Sequence, residues 1–139
     1  MSSRRPTRSV QVGNLQIGSE HPVWVQSMTC TETADVPGTI AQIENLVAAG
    51  CELIRVTVNH DRAADALPEL RTACPVPLIA DIHFTHRMAL RAIEAGVDKV
   101  RLNPGNIGSE ERVREVVRAA QDAGTALRIG VNSGSVEKD

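Results

Sequence analysis

The sequence contains almost no aromatic residues. Its 139 residues include one Trp, one Phe and no Tyr. The core must therefore be built from aliphatic side chains, and the aromatic platforms that stack single-stranded nucleic acids are not expected. The net charge of −2 at pH 7 gives no basic footprint for nucleic acid or for an anionic membrane. We therefore expect no nucleic-acid partner.

Long apolar runs and paired cysteines are also missing. No apolar stretch approaches the roughly 20 residues that a membrane helix needs, so we expect no membrane partner. Cys30, Cys51 and Cys74 are odd in number and widely spaced, which is typical of a reducing compartment and argues against a disulfide framework or a zinc site. Residues 1–8 are basic but lead into no apolar segment, so they predict a flexible arm and not a secretory signal. We expect a cytoplasmic protein.

The sequence instead alternates between strand and helix patterns. Residues 9–18 alternate apolar and polar side chains around Gly13 and Asn14, which predicts a β-hairpin. The predicted strands that follow cover residues 23–29, 52–58, 78–84, 99–103 and 126–132, and the predicted helices cover residues 36–49, 61–73, 85–95 and 109–123. Alternation at this spacing predicts parallel βαβ units within one α/β domain, residues 9–139.

Each predicted strand has one apolar face and one polar face. In the strand at 52–58, for example, Ile54 and Val56 share a face and Arg55 lies on the other. A doubly wound sheet is covered by helices on both faces, so its strands are nearly continuously apolar. A polar inner face is instead typical of a (β/α)8 TIM-type barrel with its active site in the lumen. The sequence therefore predicts an incomplete barrel with about five of the eight strands.

The charges on the polar face point to an anionic substrate. Arg55, Arg101 and Arg128 are predicted to face inward against one carboxylate, Asp81. Because an unpaired buried charge is strongly unfavourable, this excess of guanidinium groups calls for a bound anion. Arginine suits phosphate oxygens, which it binds with two parallel hydrogen bonds. We therefore predict a phosphate or diphosphate substrate; the alternative is an ion-pair network that only holds the strands together.

Two further features are candidates for site residues. Asp81 and His83 share a strand face and predict proton handling or hydroxyl positioning, and we expect no metal there. Asn103 precedes a glycine-rich loop of the kind that can hold an anion at a helix N-terminus. Glu110 and Glu111 in the first helical turn oppose an anion there. We therefore expect the loop to be a turn at the rim of the lumen, with Asn103 as its ligand contact.

Several stretches carry a resemblance to a known family. They are Val-Gly-Asn-x-x-Ile-Gly at 12–18, VQSMT at 25–29, ADIHF at 80–84, RLNPGNIG at 101–108 and RIGVNSGS at 128–135. In order and separation they resemble the signature stretches of the 4-hydroxy-3-methylbut-2-en-1-yl diphosphate synthase family, from about Arg8 onward. The resemblance implies an oxidoreductase of isoprenoid biosynthesis that reductively opens 2-C-methyl-D-erythritol 2,4-cyclodiphosphate with loss of water.

The resemblance also implies site residues, a cofactor and partners. It implies that Arg55, Arg101 and Arg128 hold the diphosphate, with Asn103 and Asn132 also in the pocket. We add Gln26 and Met28 as predicted substrate-binding residues, and the predicted catalytic residues are Asp81 and His83, from the strand-face argument above. A 4Fe-4S cluster, fed by flavodoxin or ferredoxin, would supply electrons, and the full-length protein is expected to be a homo-oligomer. In the family, three cysteines and a glutamate of a C-terminal domain hold the cluster, and we expect that domain to be absent from this chain.

These expectations imply that the chain alone is inactive and, with open strand edges, poorly stable. The cysteines of the chain lack the C-x-x-C spacing and are not expected to bind a cluster. Two other readings remain open. One is a pterin- or phosphate-binding barrel of the dihydropteroate synthase type, which would use Asp81 and Asn103. The other is a non-catalytic half-barrel that assembles with a second chain.

Overall fold

The computed structural model describes residues 4–132, which form a small hairpin followed by a parallel sheet with helices. The strands of this part of the chain are β1 (Val10–Val12), β2 (Leu15–Ile17), β3 (Gln26–Met28), β4 (Leu53–Thr57), β5 (Leu78–Ile82), β6 (Lys99–Leu102) and β7 (Ala126–Ile129). Its helices are α1 (Val36–Ala48), α2 (Asp61–Ala73), α3 (His86–Glu94), α4 (Pro104–Ile107) and α5 (Glu110–Ala123). None of these helices is both long enough and apolar enough to cross a membrane.

The order of the strands identifies the architecture. β1 pairs with β2 antiparallel, and the larger sheet runs in the order β3-β4-β5-β6-β7 with every neighbouring pair parallel. A doubly wound sheet reverses its strand order at a switch point, whereas a barrel adds each strand beside the previous one. The sequential order therefore confirms the predicted incomplete barrel.

The long helices α1, α2, α3 and α5 all cover the same face of the sheet. Their buried residues, among them Ile43, Leu67, Ala89 and Val116, belong to one core cluster with the outward-facing strand residues Ile54, Val56, Leu78, Ala80, Ile82, Val100 and Leu102. Burying an aliphatic side chain of this size contributes about 1.5–3 kcal/mol, so this layer is the main source of stability. The opposite face of the strands, which we call the lumen face, is not covered by these four helices.

The hairpin closes one end of the lumen face. Apolar side chains from the hairpin and from the first lumen-facing positions of the strands form a second cluster: Val12, Leu15, Trp24, Leu53, Ile79 and Ala126. The Trp24 indole N–H also donates to the Gln16 carbonyl oxygen at 2.7 Å. Because Leu53 and Ala126 begin their strands, this plug lies at the N-terminal ends, and Asp81, Arg101 and Arg128 lie closer to the C-terminal ends.

The arm before the hairpin contacts the loop after it. The Thr7 backbone N–H donates to Ser19 Oγ at 3.0 Å, and the Ser19 backbone N–H donates to Thr7 Oγ1 at 2.8 Å. Whether residues 1–8 are mobile stays a prediction.

The predicted elements agree with the structure apart from their ends and one short helix. The first barrel strand is only Gln26–Met28, shorter than the predicted 23–29, and Val25 is exposed beside it. The segment Pro104–Ile107, predicted as a turn, is a single helical turn. Asn103 caps it, since its Oδ1 accepts from the Gly105 backbone N–H at 3.1 Å, and proline suits the first helical position. A single turn gives no periodic pattern, so the sequence argument missed it.

Candidate active site

The parallel register brings the predicted site residues together on the lumen face. Asp81 on β5 is the register partner of Arg101 on β6, and Arg101 is the partner of Arg128 on β7. On the other side, Arg55 on β4 pairs with Ile79, two residues before Asp81 on the same face. Asp81, Arg101 and Arg128 thus lie side by side on three neighbouring strands, and Arg55 lies on the same face, one side-chain layer nearer the N-terminal ends.

Asp81 is the centre of this cluster. Its side chain is only 1% exposed, and Oδ2 accepts a hydrogen bond from Arg55 Nε at 3.0 Å and a closer one from Arg55 Nη2. Oδ1 accepts from Arg101 Nη1 at 3.3 Å. His83 Nε2 lies 3.2 Å from Oδ2. One buried carboxylate is therefore shared by two guanidinium groups and an imidazole.

Lys99 is a lumen cation that the sequence argument missed. It lies two residues before Arg101, on the same face, and is 8% exposed. Burial lowers the pKa of Lys99, and repulsion from Arg128 and then from Arg55 lowers it further. Within residues 4–132, no carboxylate lies within ion-pair distance of its ammonium group. The alternation that singled out Arg101 also places Lys99 inward, but the charge argument considered arginines alone.

The described part of the lumen face carries a strong excess of positive charge. Its cations are Arg55, Lys99, Arg101 and Arg128, and Asp81 is its one carboxylate, so four formal positive charges face one negative charge. An ion-pair network between the strands therefore accounts for only part of the charge, because Asp81 pairs with two arginines but cannot neutralise both. The arginines differ in burial: the Arg101 side chain is 13% exposed, whereas Arg128 is open to solvent. Arg128 therefore lies at the solvent-exposed edge of the described lumen face.

The other predicted ligand contacts lie around this centre. Asn103 is buried, and its Oδ1 accepts from the Gly105 backbone N–H at 3.1 Å, so part of its role is to cap α4. Gln26 and Met28 are exposed on β3, opposite Leu53 and Arg55 in the register. Asn132 is exposed beyond the end of β7. Contacts of these residues with a ligand stay a prediction.

The cysteines do not form a metal centre in the described part of the chain. Cys30 is exposed, Cys51 is half-buried and Cys74 is buried, and all are free thiols. Burial raises the pKa of the Cys74 thiol, which disfavours the thiolate that a metal needs. Residues 4–132 contain no group of three or more His, Cys, Asp or Glu side chains that could hold a metal. These residues do not fit the ligand set of an iron–sulfur cluster.

The geometry favours binding of a multiply charged anion. Arg55 and Arg101 are oriented by Asp81 before any ligand arrives, so little side-chain entropy remains to be lost on binding. Each guanidinium presents N–H donors in a planar fork that matches two phosphate oxygens. His83, 37% exposed and beside Asp81, can exchange protons with a ligand in the lumen.

Comparison with known proteins agrees with this geometry. The family described as GcpE TIM-barrel domain matches residues 7–139. A relative from Geobacillus thermodenitrificans, named 4-hydroxy-3-methylbut-2-en-1-yl diphosphate synthase (flavodoxin), is 55% identical over 135 residues, which cover 97% of this chain and 36% of the relative. A relative of the same name from Fusobacterium nucleatum is 53% identical over 135 residues, which cover 97% of this chain and 38% of the relative. The chain thus spans little more than a third of their length.

A solved structure supports the fold alone. A mandelate oxidase mutant with the monooxide FMN adduct superposes with a TM-score of 0.54 at 19% identity, covering 84% of this chain and 44% of the other. The family match decides against the dihydropteroate synthase alternative, whereas assembly with a second chain stays a prediction. Sequence match, strand order and cationic lumen agree, and the chain belongs to the GcpE TIM-barrel domain family.

Proposed function

We propose that this chain forms part of the substrate pocket of a 4-hydroxy-3-methylbut-2-en-1-yl diphosphate synthase, which reductively opens the ring of 2-C-methyl-D-erythritol 2,4-cyclodiphosphate. The observation that carries the proposal is the lumen face of residues 4–132, where four cations, Arg55, Lys99, Arg101 and Arg128, outnumber the one carboxylate, Asp81. A cyclic diphosphate supplies the negative charge that this face lacks. The names of the relatives support the same substrate class.

In this proposal the lumen cations have different tasks. Arg55 and Arg101, held by Asp81, donate directional hydrogen bonds to the diphosphate oxygens. Lys99 adds charge without a fixed direction, because an ammonium group behaves as a point charge. Arg128, exposed beyond them, contacts the diphosphate from the solvent side.

We assign proton handling to the pair Asp81 and His83. Opening the ring breaks one carbon–oxygen bond to the diphosphate, which keeps that oxygen, and a separate hydroxyl group of the substrate must receive a proton to leave as water. His83 Nε2 lies 3.2 Å from Asp81 Oδ2 and the side chain is partly exposed, so the imidazole is placed to deliver a proton to a ligand in the lumen. Asp81 thus orients both the anion-binding arginines and the proton donor.

The electrons require a cofactor that the described residues do not hold. A 4Fe-4S cluster would supply them one at a time, with flavodoxin, which the relatives' names mention, as donor and ferredoxin as the alternative. Because residues 4–132 lack a suitable ligand group, the cluster ligands belong elsewhere in this proposal. The full-length protein is proposed to be a cytoplasmic homo-oligomer.

A chimera tests the proposal. Residues 7–132 replace the matching segment of the Geobacillus thermodenitrificans relative, and turnover of the cyclic diphosphate is measured with reduced flavodoxin. We expect an active chimera in which Arg101→Ala raises KM about 10- to 100-fold, the value of one or two charge-assisted hydrogen bonds. Arg114→Ala is the control, because Arg114 pairs with Glu110 on the exposed face of α5. An Arg101→Ala variant with an unchanged KM contradicts the proposal, and turnover by the 139-residue chain alone contradicts the expectation that it is inactive.

A further inference from the structure

Gly130 lies in unusually close contact with the guanidinium group of Arg101. A Cβ atom built on Gly130 would lie 2.5 Å from Arg101 Nε, 2.8 Å from Nη2 and 2.9 Å from Cζ. Ordinary van der Waals contacts of a Cβ begin near 3.4 Å. Any side chain at this position would therefore push the guanidinium away by roughly 1 Å, a distance at which a misplaced group can cost about 100-fold in rate.

The backbone of Gly130 does not itself require glycine. Six described glycines have a positive φ, namely Gly13, Gly18, Gly50, Gly96, Gly108 and Gly124, and Gly130 is not among them. Its N–H donates to the Leu102 carbonyl oxygen at 2.9 Å, which continues the ladder between β6 and β7. Because φ of Gly130 lies outside the left-handed region, other residues can occupy this position without backbone strain. Glycine is therefore needed at this position for the space that the absent side chain leaves, and not for its backbone conformation.

That space is occupied by the arginine that bridges to Asp81. The Arg101 side chain is 13% exposed, and Nη1 donates to Asp81 Oδ1 at 3.3 Å. Its guanidinium thus has Asp81 on one side and the Gly130 backbone on another. Asp81 and Gly130 together therefore restrict where this guanidinium can present its remaining N–H donors.

We propose that Gly130 is a positioning residue of the anion site: by lacking a side chain, it sets where Arg101 presents its donors to a phosphate-bearing ligand. The identity of that ligand rests on the function proposed above, but the steric relation between Gly130 and Arg101 does not. Gly130 acts on the ligand only through Arg101.

A double-mutant cycle in the chimera tests this dependence. The variants are Gly130→Ala, Arg101→Ala and both together, and the probe is inorganic pyrophosphate, measured by calorimetry. Ile129→Ala is the matched control, because Ile129 is the neighbouring residue on the opposite face of β7 and is exposed. We expect Gly130→Ala to weaken pyrophosphate binding about tenfold, the value of one charge-assisted hydrogen bond, in the presence of Arg101, and less than about twofold in the Arg101→Ala background.

The outcomes separate this proposal from the proposed function. Wild-type affinity in Gly130→Ala overturns the positioning role, as does an equal loss with and without Arg101. If the unsubstituted chimera does not bind pyrophosphate, the proposed function fails, and the positioning role is then judged by unfolding midpoints. Unfolding midpoints also replace the binding measurement if the Gly130→Ala variant folds too poorly to be titrated with pyrophosphate. The midpoint should fall in the presence of Arg101 and stay constant in its absence, and an equal fall in both backgrounds refutes the steric relation.

Discussion

Replacing Asp81 by Asn tests whether one carboxylate organises the cationic lumen. The substitution keeps the size of the side chain but removes the charge that Arg55 and Arg101 share. Asp81 is 1% exposed, and the two arginine side chains are 22% and 13% exposed. Removing one partner of a buried ion pair costs about 3–5 kcal/mol, and the residual exposure of the arginines favours the lower end of that range. We therefore expect Asp81→Asn to destabilise the barrel by about 3 kcal/mol.

The same substitution should make the barrel more dependent on an anion. The formal charge of the lumen face rises when Asp81 becomes neutral, so pyrophosphate should stabilise the variant more than the unsubstituted protein. A ligand at 100 times its Kd adds about 2.7 kcal/mol to the free energy of unfolding, which nearly offsets the expected loss.

Hydrogen exchange of the β5 amides in the chimera, with and without pyrophosphate, measures both effects. Asp65→Asn is the control, because Asp65 pairs with Arg91 on the exposed surface between α2 and α3, where ion pairs contribute little. If Asp81→Asn and Asp65→Asn give the same protection of β5, the central role of Asp81 is refuted. A destabilised Asp81→Asn variant that pyrophosphate does not rescue would leave Asp81 as a purely structural residue.

Two further substitutions test the lumen charge and the hairpin plug. Lys99→Met should stabilise the ligand-free protein at pH 7 and weaken pyrophosphate binding. The pKa of Lys99 is lowered by folding, so its unfavourable effect is fully present below the folded pKa and disappears as the pH rises toward the unfolded value near 10.5. Unfolding curves of Lys99→Met and of the unsubstituted protein at pH 7 and pH 10 check this sign. A stability gain from Lys99→Met that is larger at pH 10 than at pH 7 contradicts it. Val12→Ala should cost about 2 kcal/mol because Val12 is fully buried in the plug, whereas Val10→Ala on the same strand, 45% exposed, should cost less than about 0.5 kcal/mol. Hydrogen exchange of the β4 amides measures this difference, and equal loss of protection in Val12→Ala and Val10→Ala would show that the hairpin does not stabilise the barrel.

Local patterns predicted most of the secondary structure because its causes are local. The helical period and a capping side chain define each long helix; Ser109, for example, accepts from the Arg112 backbone N–H at the start of α5. Alternation along the strands separated the lumen face from the helix face, as Ile54 and Arg55 illustrate. The short helix α4 escaped prediction because four residues give no period, and the ends of β3 escaped because strand ends depend on pairing with a neighbour.

By itself, the sequence determined the incomplete barrel, the hairpin before it and the inward direction of its charged residues, since each follows from periodicity along the chain. Only the tertiary structure decided which of these charges meet. Asp81 lies between Arg55 and Arg101, Lys99 has no carboxylate beside it in the described residues, and Gly130 leaves room for Arg101. These relations join residues that are distant in sequence, and they depend on strand register and packing, which no single segment encodes.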